Sequence, residues 1–140
     1  MLEDIIKKRL EKLAALKTRK IDPYPAEVKR TLTASGAVNN FIRLSKTKKV
    51  FWLAGRLRSL RDQGGVVFAD LEDESGRVQI ILKKKFTKDF EVFKTNLDVG
   101  DFVEASGRLI KTKTGQKSLE AKSLKILTKS LRPLPSEWFG

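Results

Sequence analysis

A net charge of +13 over 140 residues, from thirty lysines and arginines against seventeen acids, points to a polyanionic partner. Nucleic acid leads, an anionic membrane surface follows, and a merely solvated basic surface is the plainest alternative. The chain has no cysteine and no histidine. Disulfides and thiolate sites are therefore excluded, and the commonest general base and metal ligand is missing. Hydrophobic content of 40% and a mean hydropathy of −0.34 suit one compact domain plus an appendage. No apolar run approaches the ~20 residues of a membrane span, and the start mixes acids with bases, unlike a signal peptide. A cytoplasmic location is the default expectation.

In chain order, Leu2, Ile5, Ile6, Leu10, Leu13 and Leu16 recur at three- and four-residue steps and predict an amphipathic helix over 2–19. Its lysines either help to hold nucleic acid or form the solvated face of a docking helix. Asp22-Pro23-Tyr24-Pro25 ends the helix and predicts an extended connector. Residues 35–46 suggest a short second helix capped by Ser35, with Val38, Phe41, Ile42 and Leu44 on its apolar face.

Residues 50–82 read as three consecutive strands. Alternate side chains point to opposite faces of a strand. Leu53, Gly55 and Leu57 on the first, Val67, Ala69 and Leu71 on the second, and Val78, Ile80 and Leu82 on the third form one inward face. Arg56, Arg58, Phe68 and Gln79 then emerge together on the solvent side. An exposed ring between guanidinium and amide groups suits a flat, unpaired base: the ring stacks, the amide meets a base edge, and the arginines meet phosphate or base.

Lys83-Lys84-Lys85 follows, as a phosphate contact or a solvated strand end. Phe86, Phe90, Phe93 and Leu97 then predict a helix whose aromatic stripe packs over the open end of a barrel. Two further strands are expected at 101–110 and 117–127. The first turns Val103, Ala105, Gly107 and Leu109 inward; the second turns Leu119, Ala121 and Leu127 opposite Ser118, Glu120 and Lys122. Thr114-Gly115 marks the hairpin between them. The acidic run Asp70, Glu72, Asp73 and Glu74 fits turn chemistry around Ser75-Gly76 better than metal binding or catalysis. The order β-β-β-α-β-β predicts a mainly-β protein with added helices: a five-stranded OB-fold Greek-key barrel preceded by a helical segment. Gly55 and Gly107 are candidate bend positions. Three parts are expected: helices and connector at 1–48, barrel at 49–129, and a linker at 130–140. The terminal Trp138-Phe139-Gly140 looks like a chain cut where another domain begins.

The motifs resemble the N-terminal anticodon-binding region of class II lysyl-tRNA synthetases over nearly the whole chain. Their markers are Asp22-Pro23-Tyr24-Pro25; Ala54-Gly55-Arg56 with Arg61; Phe68, Asp73, Gly76 and Gln79 in F-x-x-L-x-D-x-x-G-x-x-Q; Leu97-Asp98-Val99-Gly100-Asp101; Lys111 to Gly115; and Leu127-Thr128-Lys129-Ser130-Leu131-Arg132-Pro133-Leu134-Pro135. The resemblance implies recognition of the lysine anticodon loop of tRNA. Phe68 would stack on the central uridine, Arg56 and Gln79 would contact anticodon bases, and Arg61 would meet base or phosphate. Where the family usually has Thr-Gly-Glu-Leu-Ser, this chain has Thr114-Gly115-Gln116-Lys117-Ser118. Gln116 keeps a donor and an acceptor but no charge. Glu120, on the same face ~13 Å farther along an extended strand, is the other candidate for that role.

The resemblance also implies that ATP and Mg²⁺ belong to a separate catalytic domain. No catalytic residue, metal or cofactor is therefore expected in this chain. The parent enzyme would be a homodimer largely through that domain, leaving the isolated chain free to be monomeric. Two rivals make different predictions. A sequence-tolerant single-strand binder would show little preference among RNAs. A protein-assembly module would dock partners through helix 2–19 and the C-terminal Pro-Trp-Phe segment.

Overall fold

The computed structural model describes residues 1–18 and 30–131. The expected 22–25 connector and most of the 130–140 linker lie outside the described residues. Helix α1 (Leu2–Thr18) leads to two short helices, α2 (Ala34–Asn39) and α3 (Phe41–Lys46). Strands β1 (Phe51–Asp62), β2 (Val66–Asp73) and β3 (Gly76–Lys83) follow. Then come helix α4 (Phe90–Asn96) and strands β4 (Phe102–Lys111) and β5 (Lys117–Thr128).

The strands close into a barrel in the order β1-β2-β3-β5-β4. All pairs are antiparallel except β3–β5, a parallel seam of Gln79–Ser118, Ile80–Leu119 and Ile81–Glu120. The architecture is the expected OB-fold, and the inward triplets of β1, β2 and β3 are all buried, as alternation requires. Phe90, Phe93 and Leu97 close one end of the core. Phe86 is left 42% exposed, because Thr87 pins the turn instead: its hydroxyl donates to Ala121 O at 2.6 Å and accepts from Lys83 N–H.

Strand β1 serves two partners, β4 through Phe51–Arg56 and β2 from Arg56 onward. The chain bends sharply at this exchange. A Cβ on Gly55 would overlap the Glu72 carbonyl, and one on Gly107 would overlap that of Glu120. Glycine is required at both points because neighbouring backbone occupies the side-chain position.

Bulges correct the simple alternation at three points, one of them between Phe102 and Val103, where Leu127 is skipped. A register shift between Leu57 and Ser59 leaves Arg58 unpaired and reverses the phase of β1, so that Leu60 faces Ala69 and Arg61 faces Phe68. A second shift between Ser106 and Gly107 skips Lys122. The core residues of late β5 are therefore Leu124 and Ile126, and Leu127 is only half-buried. One extra residue in a strand moves every later side chain to the other face.

The predicted 35–46 helix is interrupted at Asn40, which leaves helical geometry while its side-chain amide donates to Gly36 O. Asparagine offers the backbone such local alternatives to a helix. The cap of α2 is Thr33, whose Oγ1 accepts the Gly36 N–H, rather than Ser35. Asp73 adds a second anchor. Its Oδ2 accepts the Ala34 N–H at 2.8 Å, and its Oδ1 accepts from the Ser75 N–H and hydroxyl and from the Gly76 N–H. Burial opposes ionisation of Asp73, but these donors together hold its carboxyl below the usual range. Of the acidic run, Asp73 serves turn and cap chemistry, whereas Asp70, Glu72 and Glu74 pair with Arg61, Arg77 and Arg30.

Helix α1 packs against α4. Leu13 and Leu16 are buried as expected, but Leu10 is 47% exposed while Arg9 is buried. An ion cluster accounts for this rotation of the helix. Lys12 Nζ meets Asp98 Oδ1 at 2.5 Å, and Arg9 Nη1 donates to Ser130 Oγ at 3.1 Å. Lys129, fully buried, lies 2.6 Å from Asp98 and 2.7 Å from Asp101. Burial would raise the Asp98 carboxyl, but hydrogen bonds from Lys12 and Lys129 outweigh it and hold the group low. Burial of Asp101 is deeper, and its carboxyl stays raised despite Lys129. This cluster fastens α1 to the barrel at the point where β5 ends.

Candidate nucleic-acid interface

The outward faces of β2 and β3, the end of β1, and the end of β4 with the loop after it form a groove of about 590 Å³. Phe68 and Gln79 both line it. They share a face because Phe68 pairs with Ile81 and Asp70 with Gln79. The β4–β5 hairpin forms one wall, with Gln116 facing the groove. Gly115 turns that hairpin at φ +88, and the Thr112 hydroxyl accepts the Gln116 N–H at 3.0 Å.

Arg61 completes the group. The β1 bulge brings it opposite Phe68, with its guanidinium carbon 6.0 Å from the ring centroid. Asp70 holds it there at 3.7 Å, and Ser59 bridges the two by donating to Asp70 at 2.8 Å. Strict alternation from Leu53 would have turned Arg61 inward.

Gln79 differs from expectation in exposure, being 8% exposed and so walled in rather than free on the surface. Strand β5 covers it, and the Ser118 hydroxyl donates to its Oε1 at 2.8 Å. With the carbonyl side of the amide held, the nitrogen side has no hydrogen-bond partner among the described residues. A fixed amide donor beside a partly exposed ring is suited to a base edge.

Arg56 and Arg58 are not brought into the groove. Arg56 stands opposite Glu72, four register positions from the Arg61–Phe68 pair and hence ~13 Å along the strand. It stacks at 4.6 Å on the Phe102 ring and lines a separate cleft of about 300 Å³ with Glu72 and Phe102. Its Nε is buried without a hydrogen-bond partner. Arg58 occupies the bulge, 3.9 Å from Glu72. The Glu72 carboxyl is held below its usual range chiefly by a hydrogen bond from Arg77. Glu120 shares the groove-side face of β5 but is engaged with Lys83 at 2.5 Å. Gln116 therefore stands nearer the groove than Glu120 does.

Sequence reasoning gave Asp70 to turn chemistry and Ser118 only a strand face, and missed that they position Arg61 and Gln79. Their only sequence signal was outward alternation beside the residues they hold. Lys111 and Lys113 also line the groove. Among the described residues, no cluster of carboxylates is placed to hold a metal ion, and no helix is long and apolar enough to cross a membrane.

A closed five-stranded barrel with an aromatic, amide and guanidinium groove on its β2–β3 face defines an OB-fold domain of the nucleic-acid-binding kind. Residues 51–127 match the family model for tRNA anticodon domains, described as an OB-fold nucleic acid binding domain, and the chain belongs to that family. It is also similar to lysine–tRNA ligases. That of Dehalococcoides mccartyi strain 195 is 39% identical over 94% of this chain and 28% of the relative. That of Pelotomaculum thermopropionicum is 38% identical over 99% of this chain and 27% of the relative. That of Fervidobacterium nodosum is 34% identical over 100% of this chain and 28% of the relative. The chain thus spans little more than a quarter of the length of these relatives.

Proposed function

We propose that this chain reads the lysine anticodon loop of tRNA, as the anticodon-binding domain of a lysine–tRNA ligase. The observation that carries the reading is the groove in which Arg61, Phe68 and Gln79 converge, with Arg61 held by Asp70 and Gln79 by Ser118. Phe68 stacks on the central anticodon base. Gln79, its oxygen held by Ser118, donates from its amide nitrogen to a carbonyl of that base, and a uracil offers such acceptors. Arg61 adds charge beside the stacked ring. Gln116 contacts a flanking base from the hairpin wall. Arg56 and Arg58 are assigned no base contact, because both lie outside the groove. The chain is assigned no catalytic step and no ATP or Mg²⁺ site.

The similarity to lysine–tRNA ligases along nearly the whole chain supports this choice over a sequence-tolerant strand binder. The test is binding to three anticodon stem-loops of equal length at two salt concentrations. One carries UUU, one has the central U replaced, and one is unrelated. A preference for UUU that persists at higher salt is expected, since base contacts release no counterions. Equal binding to all three, collapsing together as salt rises, would overturn the reading.

A further inference from the structure

The two ends of the groove differ in charge. Near the β1–β2 turn, cations are matched by acids: Lys94 with Asp62 at 3.7 Å, Lys84 with Glu91 at 3.9 Å, and Lys83 with Glu120 at 2.5 Å. At the hairpin end, Lys111 and Lys113 are exposed and have no acid partner among the described residues. No aspartate or glutamate occurs in residues 105–119, nor in residues 30–50.

The fold joins these two acid-free stretches. Helix α3 packs against β4, and Lys117 Nζ donates to Val38 O at 3.2 Å, at the end of α2. Lys117 links two surfaces. Its chain neighbours serve the groove, Gln116 as a wall and Ser118 as the holder of Gln79. Lys117 itself lines a cleft of about 480 Å³ with Asn39, Ile42, Arg43 and Lys46. Arg43 and Lys46 are exposed and have no acid partner among the described residues. Ile42, beside them, is 68% exposed. Compensation of the helix dipole accounts for cations in the last turn of α3. It does not account for the lack of acids in both stretches of chain or for an uncovered isoleucine.

We infer that α3 and Lys117 form a shelf that carries the sugar–phosphate backbone of the RNA stem as it leaves the groove. Arg43, Lys46 and Lys117 meet phosphates, and Ile42 lies against ribose. The contact is independent of sequence, and it sets the direction in which the stem departs, away from the acid-balanced end. This rests on the RNA reading of the groove.

The test compares the full chain with the double variant Arg43→Gln/Lys46→Gln. Both positions are exposed, so the fold should be retained, as a denaturation curve would show. Two ligands are used: a UUU anticodon stem-loop and a short single strand carrying only the loop sequence. The variant should bind the stem-loop several-fold more weakly at low salt. Its slope of log affinity against log salt should fall by about one unit per lost phosphate contact. Binding of the short strand should be unchanged. An unaltered stem-loop slope, or equal weakening of both ligands, would overturn the shelf. Phe68→Ala measured in parallel separates the two readings. If it weakens both ligands while the double variant alters neither, only the shelf falls. If Phe68→Ala alters neither, the groove reading fails.

Discussion

Replacing Lys129 with methionine would test how α1 and the end of β5 are held. Methionine preserves most of the length of the side chain and removes its charge. Asp98 keeps Lys12 at 2.5 Å and Arg9 at 3.8 Å, so it remains paired. Asp101, fully buried, loses the Lys129 ammonium at 2.7 Å and keeps the backbone N–H groups of Asp98 and Ser130. Breaking a buried pair from one side costs about 3–5 kcal/mol. The two remaining donors place the expected loss at about 3 kcal/mol at neutral pH.

The sign of the pH dependence follows from Asp101. Its folded carboxyl is already raised above 3.8 by burial, and losing Lys129 raises it further. A raised carboxyl penalises the folded state above its folded pKa, and the penalty is relieved as pH falls through that value. The deficit of Lys129→Met relative to the parent should therefore shrink as pH is lowered from 7 toward 4. Urea denaturation followed by tryptophan fluorescence at several pH values measures this. The double variant Lys129→Met/Asp101→Asn should recover most of the loss. A deficit below about 1 kcal/mol at pH 7, or one that does not change with pH, would refute the assignment of the cost to a stranded carboxylate.

Phe68→Ala should weaken binding to a UUU stem-loop by about 1–3 kcal/mol without shifting the urea midpoint greatly, since the ring is only half-buried; filter binding and denaturation on the same preparation check both. Ser118→Ala should free the Gln79 amide to rotate, lowering affinity by about 0.5–1.5 kcal/mol and reducing the preference for a central U; an unchanged preference would mean that the hydroxyl does not orient the amide. Asp73→Ala should cost about 1–2 kcal/mol of stability at neutral pH by stripping donors at Ala34, Ser75 and Gly76 of their acceptor. Because the Asp73 carboxyl is held low, that contribution is present above the ordinary value of 3.8 and disappears as pH falls through the folded value. Coincident denaturation curves for variant and parent at pH 7 would contradict it.

The barrel was legible because its inward triplets alternate without interruption through β2 and β3, where no bulge intervenes. Phe68 was placed correctly for that reason. Alternation could not have oriented Arg61, which came from the resemblance, or Leu124, because one-residue bulges at Arg58 and Lys122 reverse the phase and leave no signal in apolar periodicity. The exposure of Gln79 was misjudged from its own strand alone. What covers it is Ser118 of β5, thirty-nine positions away, across a parallel seam that local patterning does not encode. Leu10 and Arg9 exchanged roles on α1 for a similar reason. The helix follows the carboxylates of the 97–101 motif and the hydroxyl of Ser130, and these outweigh one leucine on its stripe. Two motifs that marked the resemblance, 97–101 and 127–135, thus contribute to one structural joint; none of their described residues lines the groove.

The β3–β5 seam has a consequence for how the barrel breathes. It is the shortest of the five ladders, three residue pairs long, and two of those residues, Gln79 and Ser118, also support the recognition surface. Opening the barrel there would release the amide that the groove presents. An occupant spanning Phe68, Gln79 and Gln116 would bridge β2, β3 and the entry to β5, and would act as a clasp across the closure. Amide hydrogen exchange along residues 79–81 and 118–120 should slow on ligand binding more than exchange along the long β4–β5 ladder. Occupancy would then be recorded in the mechanics of the barrel itself, at backbone positions the ligand never touches.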